Sequence, residues 1–134
     1  MSEELKSPAD SNPKVGSFKD LLVWQKGMAL ATIIYRITRS FPNEEKFGLV
    51  AQKRRAAVSI PSNIAEGQAR HTTKEFIQFI YHAEGSVAEL ETQLLLAVDL
   101  GYCAREEAGE AFRLISDLRN MLNALRRTLS RKVS

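Results

Sequence analysis

The sequence predicts an all-α protein, an antiparallel up-down-up-down four-helix bundle. Apolar residues recur at helical spacing in four separate stretches, and no stretch alternates apolar and polar residues with a period of two. The 134 residues include only seven glycines and four prolines, too few for an all-β chain of many tight turns. Short connections make successive helices antiparallel neighbours. With 44% apolar residues, the chain is long enough and apolar enough to bury the core of one domain.

The first two helices are predicted from their apolar stripes and their end signals. Residues 1–17 are polar and aperiodic, and we expect a flexible tail there. The first helix is predicted from Asp20 to Arg39 and is apolar on two faces, which favours two neighbours. The second is predicted from Asn43, a suitable N-cap, to Glu66. Pro61 lies inside this second helix, where the missing N–H predicts a kink.

The third and fourth helices each show a continuous apolar seam. The third begins at the capping box formed by Thr72 and Glu75 and ends before Gly101. The fourth is predicted over residues 105–129, so the bundle spans residues 18–130 and residues 131–134 are expected to fray. Steps of three and four separate the residues of both seams. The seams are Phe76, Ile80, Ala83, Val87, Leu90, Leu94 and Ala97, and Ala108, Ala111, Ile115, Leu118, Leu122, Leu125 and Leu129.

Charge is distributed unevenly along the chain, although the net charge is only +3. Residues 18–71 hold nine Lys and Arg against four acids, whereas residues 72–101 hold one Lys against five acids. Residues 102–134 are basic again, with seven Lys and Arg against four acids. This alternation favours a basic face for an anionic partner, or complementary contacts between subunits. An ordinary solvated surface is the remaining interpretation.

The residues for catalysis or metal binding are few, so the sequence predicts neither an enzyme nor a cofactor. One cysteine, Cys103, excludes an internal disulfide and a cysteine zinc site. Neither His71 nor His82 follows a glutamate at the spacing of di-iron bundles, and there is no glycine-rich phosphate loop. No segment is long and apolar enough to span a membrane, and the first residues do not resemble a secretory signal, so we expect a cytoplasmic protein without a membrane partner.

A polar stripe crosses the second helix around its proline. Arg55, Ser59, Ser62 and Glu66 follow a spacing of four, three and four, which places them on one face. Such side chains can satisfy carbonyls freed at a kink and can form a hydrogen-bonded interface. A ligand site in this stripe is the alternative.

Basic residues suggest a surface for backbone phosphate. The run Lys53-Arg54-Arg55 spans some 200° of the helix, about two steps of 100°, so these residues cannot all face one ligand. At least one of them must lie inward or sideways; if the polar stripe is real, Arg55 is that residue, and Lys53 and Arg54 lie outside. Trp24, Tyr35 and Tyr81 could stack on bases, or pack in the core or an interface. The candidates for nucleic-acid contacts are Lys53, Arg54, Arg70, Arg119, Arg126 and Arg127.

Three segments resemble a known family. They are FKDLLVWQKG on the first helix, FPNEEKFGLVAQKRRAAVSIPSNIAEGQAR on the second, and FIQFIYHAEGSVAELETQL on the third. The chain resembles, over residues 18–128, the four-helix bundle proteins encoded in intervening sequences of bacterial 23S ribosomal RNA genes. Ser59–Gly67 and Gly85–Thr92 are specific in combination.

The resemblance implies an architecture rather than a reaction. It implies up-and-down bundles that assemble into ring-shaped homo-oligomers, as pentamers, and associates no enzymatic activity with the family. More distant relatives are accessory proteins of diversity-generating retroelements, in which a basic barrel engages nucleic acid. The family has no established functional residues. Its motif residues transfer only as packing or interface positions, which here are Arg55, Ser59, Asn63, Glu66, Ser86 and Glu89.

Three hypotheses about function remain open. The leading one is a non-enzymatic oligomer that binds RNA, or an RNA–protein assembly, through basic surface. A ring in which the acidic third helix contacts a neighbour's basic helix would explain the charge pattern. The rival is a structural or protein-interaction scaffold without a nucleic-acid role. An enzyme is the third, although no group of residues meets the geometric requirements of catalysis.

Overall fold

The chain folds into four α-helices that pack as a bundle. The computed structural model describes residues 17–45 and 48–133. The helices are α1 (Leu22–Thr38), α2 (Leu49–Gln68), α3 (Thr73–Asp99) and α4 (Gly109–Val133). Single 3₁₀ turns at Phe18–Asp20 and Asn43–Glu45 precede α1 and α2, and no strand occurs in the described residues. The predicted all-α four-helix bundle is confirmed.

The start of α2 differs from the sequence prediction, whereas the start of α3 agrees with it. Asn43 is not the N-cap of α2, because Asn43–Glu45 forms its own 3₁₀ turn and α2 starts six residues later, at Leu49. Glu45 still serves the positive end of that helix, since its Oε1 accepts a hydrogen bond from the Leu49 backbone N–H at 3.3 Å. At the start of α3, Thr72 Oγ1 accepts from the Glu75 N–H at 3.2 Å, as a capping threonine does.

The fourth helix is displaced along the chain relative to the prediction. It begins at Gly109 rather than Arg105 and continues to Val133, so it includes residues 131–133. Residues 105–108 before it form turns, and Glu107 stabilises them by accepting a hydrogen bond from the Ala104 N–H at 2.8 Å. The predicted tail, residues 1–17, lies outside the described residues except for Ser17, and so does Ser134.

Contacts between named residues give the helix directions. Lys53, early in α2, donates to the carbonyl of Gln93, late in α3, and Ser59 further along α2 contacts Ser86 earlier in α3. The two helices therefore run in opposite directions. The same holds for α3 and α4, where Arg119 meets Glu91 and Arg126 meets Glu84. Each helix contacts the next, and α4 also contacts α1.

The core lies where the apolar seams of the helices meet. The predicted seams of α3 and α4 are buried at every position except Phe76 and Leu125, which are only partly buried. Ile77 is buried on α3 beside Phe76. Complete burial of a leucine or isoleucine side chain stabilises the fold by about 1.5–3 kcal/mol, so these seams provide much of the driving force for folding.

A glycine of α2 allows its close approach to α3. A methyl group at Gly67 would lie 2.7 Å from Cβ of Phe79, so α2 packs against α3 with no room for a side chain there. Gly27 of α1 faces Pro61, whose Cδ would lie 3.4 Å from an added Cβ. Pro61 is buried, and α2 continues through it as one helix from Leu49 to Gln68.

Polar side chains bond to carbonyls near Pro61. The proline removes the donor that would pair with the carbonyl of Ala57. Ser59 Oγ donates to the carbonyl of Ala56 at 2.9 Å, and Asn63 Nδ2 donates to that of Ser59 at 2.7 Å. The predicted kind of bond is therefore present, but it reaches neighbouring carbonyls and not the one left free by the proline.

Candidate nucleic-acid interface

The basic run on α2 is oriented differently from the prediction. Lys53 is completely buried, Arg54 is partly buried and Arg55 is exposed. The prediction that Arg55 faces inward was wrong. The inward positions of α2 follow Val50, Lys53, Ala57, Ile60 and Ile64 at steps of three and four, and Arg55 is two residues, or about 200°, away from Lys53.

Lys53 is a buried ammonium group and not a phosphate contact. Its Nζ donates to the carbonyl of Gln93 and lies 5.6 Å from the centre of the Phe41 ring. Burial lowers the pKa of Lys53 to about 8, while the nearby Cys103 and Glu45 oppose that shift. Because this side chain has no exposed surface, its assignment as a nucleic-acid contact is corrected.

Arg54 stacks on a tyrosine of α1 and forms hydrogen bonds with the same helix. Its guanidinium carbon lies 4.5 Å from the centre of the Tyr35 ring. Its Nε donates to Thr38 Oγ1 at 2.9 Å, and its Nη2 donates to the Tyr35 carbonyl at 3.3 Å. These contacts hold a planar cation over the aromatic ring of Tyr35, a residue that is 41% exposed.

Several of the other candidate arginines already have carboxylate partners. Arg126 Nε donates to Glu84 at 2.8 Å, and this hydrogen bond raises the pKa of Arg126 above its ordinary value. Arg119 pairs with Glu91 in the same way between α4 and α3. Part of the predicted alternation of charge is thus neutralised within one chain. Each of these carboxylates would compete with a phosphate for its arginine.

Arg70 and Arg127 lie on exposed surface. The Arg70 Nη2 atom is 3.8 Å from Glu66 Oε2, and its guanidinium carbon lies 4.7 Å from the centre of the Phe79 ring. Arg127 is exposed on α4. Both can therefore meet a ligand, and Arg70 would have to leave a weak surface ion pair to do so.

An apolar groove runs between α1 and α2. Its volume is about 500 Å³, within the usual range of ligand sites. It begins at Trp24 and Ala65 and ends at Tyr35, Val58 and Arg39. Val58 is 41% exposed and Met28, also in the lining, 45%. We call this the α1–α2 groove.

A second, more polar groove adjoins it along the outer face of α2. The four residues of the predicted polar stripe, Arg55, Ser59, Ser62 and Glu66, all line it, together with Arg54 and Asn63. Tyr35, Val58 and Ser62 line both grooves. Three residues of the stripe, Arg55, Ser62 and Glu66, are exposed next to the α1–α2 groove, whereas Ser59 is partly buried.

Among the motif residues, Ser59, Ser86 and Glu89 form side-chain hydrogen bonds. Ser59 and Ser86 are joined by a hydrogen bond between their hydroxyl groups, which links α2 to α3. Glu89 is exposed on α3, and one of its carboxylate oxygens accepts from Gln93 Nε2 at 3.3 Å. Whether Arg55, Glu66 or Glu89 contacts a neighbouring subunit stays a prediction.

Comparison with known proteins places the chain in a family. The sequence model of the 23S rRNA-intervening sequence proteins matches residues 19–124. The chain belongs to this family. A crystal structure from Bacteroides thetaiotaomicron VPI-5482, described as a protein with unknown function from the S23 ribosomal protein family, has the same fold. Its TM-score is 0.73 at 24% identity, over 78% of this chain and 98% of that one. No curated protein matches the chain.

Residues 17–45 and 48–133 contain no group of three His, Cys, Asp or Glu side chains placed to hold a metal ion. His71 and His82 are exposed, and Cys103 is buried, which raises the pKa of its thiol. Within the same residues, none of the helices has the length and apolar character that crossing a bilayer requires.

Sequence reasoning missed Arg39 as a candidate for nucleic-acid contacts. Arg39 is exposed at the end of α1 and lines the α1–α2 groove together with Tyr35. It also lines a smaller pocket together with Arg54. We call Arg39, Arg54 and Arg55 the basic rim. An antiparallel hairpin brings the end of α1 beside the first half of α2, and that topology was the signal that could have predicted the cluster.

Proposed function

We propose that this member of the intervening-sequence family is a non-enzymatic, self-assembling bundle that binds RNA through the basic rim. The observation that supports it is the grouping of Arg39, Arg54 and Arg55 around Tyr35, where no carboxylate of the described residues forms an ion pair with any of them. The family is named after intervening sequences of 23S rRNA, and an RNA-binding role is consistent with that name.

Electrostatics favour the basic rim over the arginines of α4. An arginine that already pairs with glutamate gains less from a phosphate, because the old ion pair must be broken and its carboxylate then repels the ligand. Arg119 and Arg126 are in that position, whereas the three arginines of the rim are not. Arginine also matches phosphate with two parallel N–H donors.

Self-assembly is the second part of the proposal. The outer face of α3 keeps large apolar side chains in solvent, with Leu96 and Leu100 one turn apart at 47% and 52% exposure. Glu89 and Asp99 are exposed on the same helix. A face with exposed leucines and unpaired acids fits a basic surface of another copy, and two different contact surfaces on one chain allow a closed ring.

The test is a salt titration of RNA binding by the full chain and two charge-reversal variants. We expect the wild-type protein to bind a labelled structured RNA with an affinity that falls steeply with salt. The double variant Arg39→Glu and Arg55→Glu should bind about tenfold or more weakly and lose about 2 from the salt slope, one for each phosphate contact. Arg127→Glu, on the opposite helix, is the matched control and should keep wild-type affinity.

Two results would contradict the proposal. Absence of binding to RNA at low salt by correctly assembled protein would remove the RNA-binding function. Weakened binding of Arg127→Glu with unchanged binding of the double variant would move the surface from the basic rim to α4.

A scaffold without nucleic acid is the second candidate, and the exposed acids of α3 favour it. Glu89 and Asp99 could contact the basic rim of a neighbouring copy, which would cover the arginines. Light scattering of the double variant separates the two functions. An unchanged mass with lost RNA binding supports the RNA-binding proposal, whereas a lower mass supports the scaffold.

A further inference from the structure

The α1–α2 groove offers an aromatic ring and apolar walls beside three arginines. Tyr35 lines both grooves and is 41% exposed, with the guanidinium carbon of Arg54 4.5 Å from the centre of its ring. From there the apolar walls extend past Met28 and Val58 to Trp24. A surface for backbone phosphate alone needs the arginines and gains nothing from such walls.

An aromatic ring and apolar walls beside arginines favour unpaired nucleotides over a duplex. In a duplex the bases are stacked on each other, so the partner meets only phosphates and groove edges. Unpaired bases expose their faces, which stack on aromatic side chains and on arginine planes. An exposed tyrosine under a guanidinium, at the mouth of an apolar groove, fits unpaired bases.

Charge favours a nucleic acid over a protein segment as the occupant. Arg39 lies at the end of the α1–α2 groove, and Arg54 and Arg55 line the adjoining polar groove. The carboxylate in the two linings is that of Glu66, one turn beyond Asn63 and close to Arg70 at 3.8 Å. A phosphate chain can follow the arginines from Arg39 to Arg55 while its bases enter the apolar side.

We propose that the α1–α2 groove binds unpaired nucleotides of an RNA, with one base stacked on Tyr35 and the flanking phosphates held by Arg39, Arg54 and Arg55. This inference rests on the proposed RNA-binding function and specifies its ligand as single-stranded. Ser62 and Asn63 stand beside the stacked base, where their side chains can meet base edges.

The experiment compares Tyr35→Ala with Tyr35→Phe, which keeps the ring, on a short unstructured oligoribonucleotide and on a duplex of the same sequence. We expect Tyr35→Ala to lose about tenfold in affinity for the unstructured strand, because stacking is worth about 1–3 kcal/mol per base. Tyr35→Phe should keep it. Duplex affinity should fall much less than strand affinity in Tyr35→Ala, because a duplex offers no base face to the ring and loses only the support that the ring gives Arg54.

A second readout comes from Trp24, the single tryptophan of the chain, which lines the same groove. Its fluorescence should be quenched by the unlabelled unstructured strand and not by the duplex. Equal loss of strand and duplex affinity in Tyr35→Ala, or unchanged binding of both, would overturn the inference.

Other failures are distinguishable. Lack of binding of either RNA to wild-type protein removes the proposed function itself. A lower mass of Tyr35→Ala in light scattering, with unchanged RNA affinity, identifies the groove as a contact between copies and overturns the inference alone.

Discussion

A methyl group at Gly67 would overlap the neighbouring helix. It would lie 2.7 Å from Cβ of Phe79 and 2.8 Å from Cδ1 of Phe76, so α2 or α3 must shift. We expect Gly67→Ala to lower the free energy of unfolding by about 1–3 kcal/mol, the usual cost of overpacking. Urea denaturation followed by circular dichroism measures it.

Gly85 provides the control for that substitution. It lies within α3 with nothing within 4 Å of an added Cβ. Alanine there should raise stability by up to about 1 kcal/mol through helix propensity. Equal effects of the two substitutions would show that α2 and α3 are not as close as the structure places them.

Lys53 should make stability depend on pH in the alkaline range. Its pKa is lowered by burial from 10.5 to about 8, so between these values the folded chain has released the proton and the unfolded chain keeps it. Unfolding then takes up a proton, and stability rises with pH in this window. Below the folded pKa both states are charged and the penalty of the buried ammonium is complete.

Lys53→Met isolates this effect from other groups. The raised pKa values of Cys103 and Tyr102 act in the opposite direction, because these groups ionise first in the unfolded chain. We expect the variant to be at least as stable as wild type at pH 7, since a buried charge is replaced by an apolar chain of similar length. The difference in unfolding free energy should shrink as the pH rises to about 9, and a constant difference would contradict the lowered pKa.

At the scale of residues, the sequence predicted that the basic run must point in several directions, but it did not predict which of its side chains faces the core. That the run 53–55 could not point in one direction was right, but the choice of Arg55 as the buried member was wrong. The apolar residues Val50, Ala57, Ile60 and Ile64 mark the buried face of α2, and their spacing places Lys53 on that face. A buried lysine is hard to predict from sequence, because its apolar stem can be buried only where its ammonium group finds a hydrogen-bond acceptor. For Lys53 that acceptor is the Gln93 carbonyl on another helix.

At the scale of helices, ion pairs join α3 to α4. Arg126 and Glu84 are 2.8 Å apart and both side chains are largely buried, at 23% and 22% exposure. A double-mutant cycle with Arg126→Ala and Glu84→Ala should give a coupling energy of about 1 kcal/mol, since a close, partly buried pair gains more than an exposed one. Denaturant unfolding of the four proteins measures it.

The pair Arg70–Glu66 is the matched comparison. It is longer, at 3.8 Å, and its side chains are 44% and 60% exposed. Its coupling energy should be near zero and should vanish in salt. A larger coupling for this pair than for Arg126 and Glu84 would contradict the packing of α3 on α4.

Helix existence and apolar faces followed from periodicity, whereas helix ends did not. The seams of α3 and α4 were predictable because burial selects apolar residues at steps of three and four. The starts of α2 at Leu49 and of α4 at Gly109 depended on hydrogen-bonded turns that precede them. Residues after Pro42 form a 3₁₀ turn, and the Ala104 N–H before α4 donates to the carboxylate of Glu107.

At the scale of the whole molecule, the outer face of α3 should govern assembly. We expect light scattering to give a mass that is a multiple of the 15.0 kDa chain, five-fold if the family resemblance extends to subunit number. Glu89→Lys should lower that mass, because it reverses a charge in the acidic face. Glu106→Lys, exposed in the connection before α4, is the control. Unchanged mass in Glu89→Lys would rule out charge pairing at this face.

The sequence alone determined the four helices, their order and their buried faces, because each is encoded locally by the spacing of apolar residues. It also determined the family, through the segments around Ser59–Gly67 and Gly85–Thr92. Only the tertiary structure decided which charges are free. It paired Arg119 and Arg126 with acids of α3, buried Lys53, and brought Arg39 beside Arg54. Such neighbours are distant in sequence, and the strength of a charge depends on burial and on partners that no local pattern encodes.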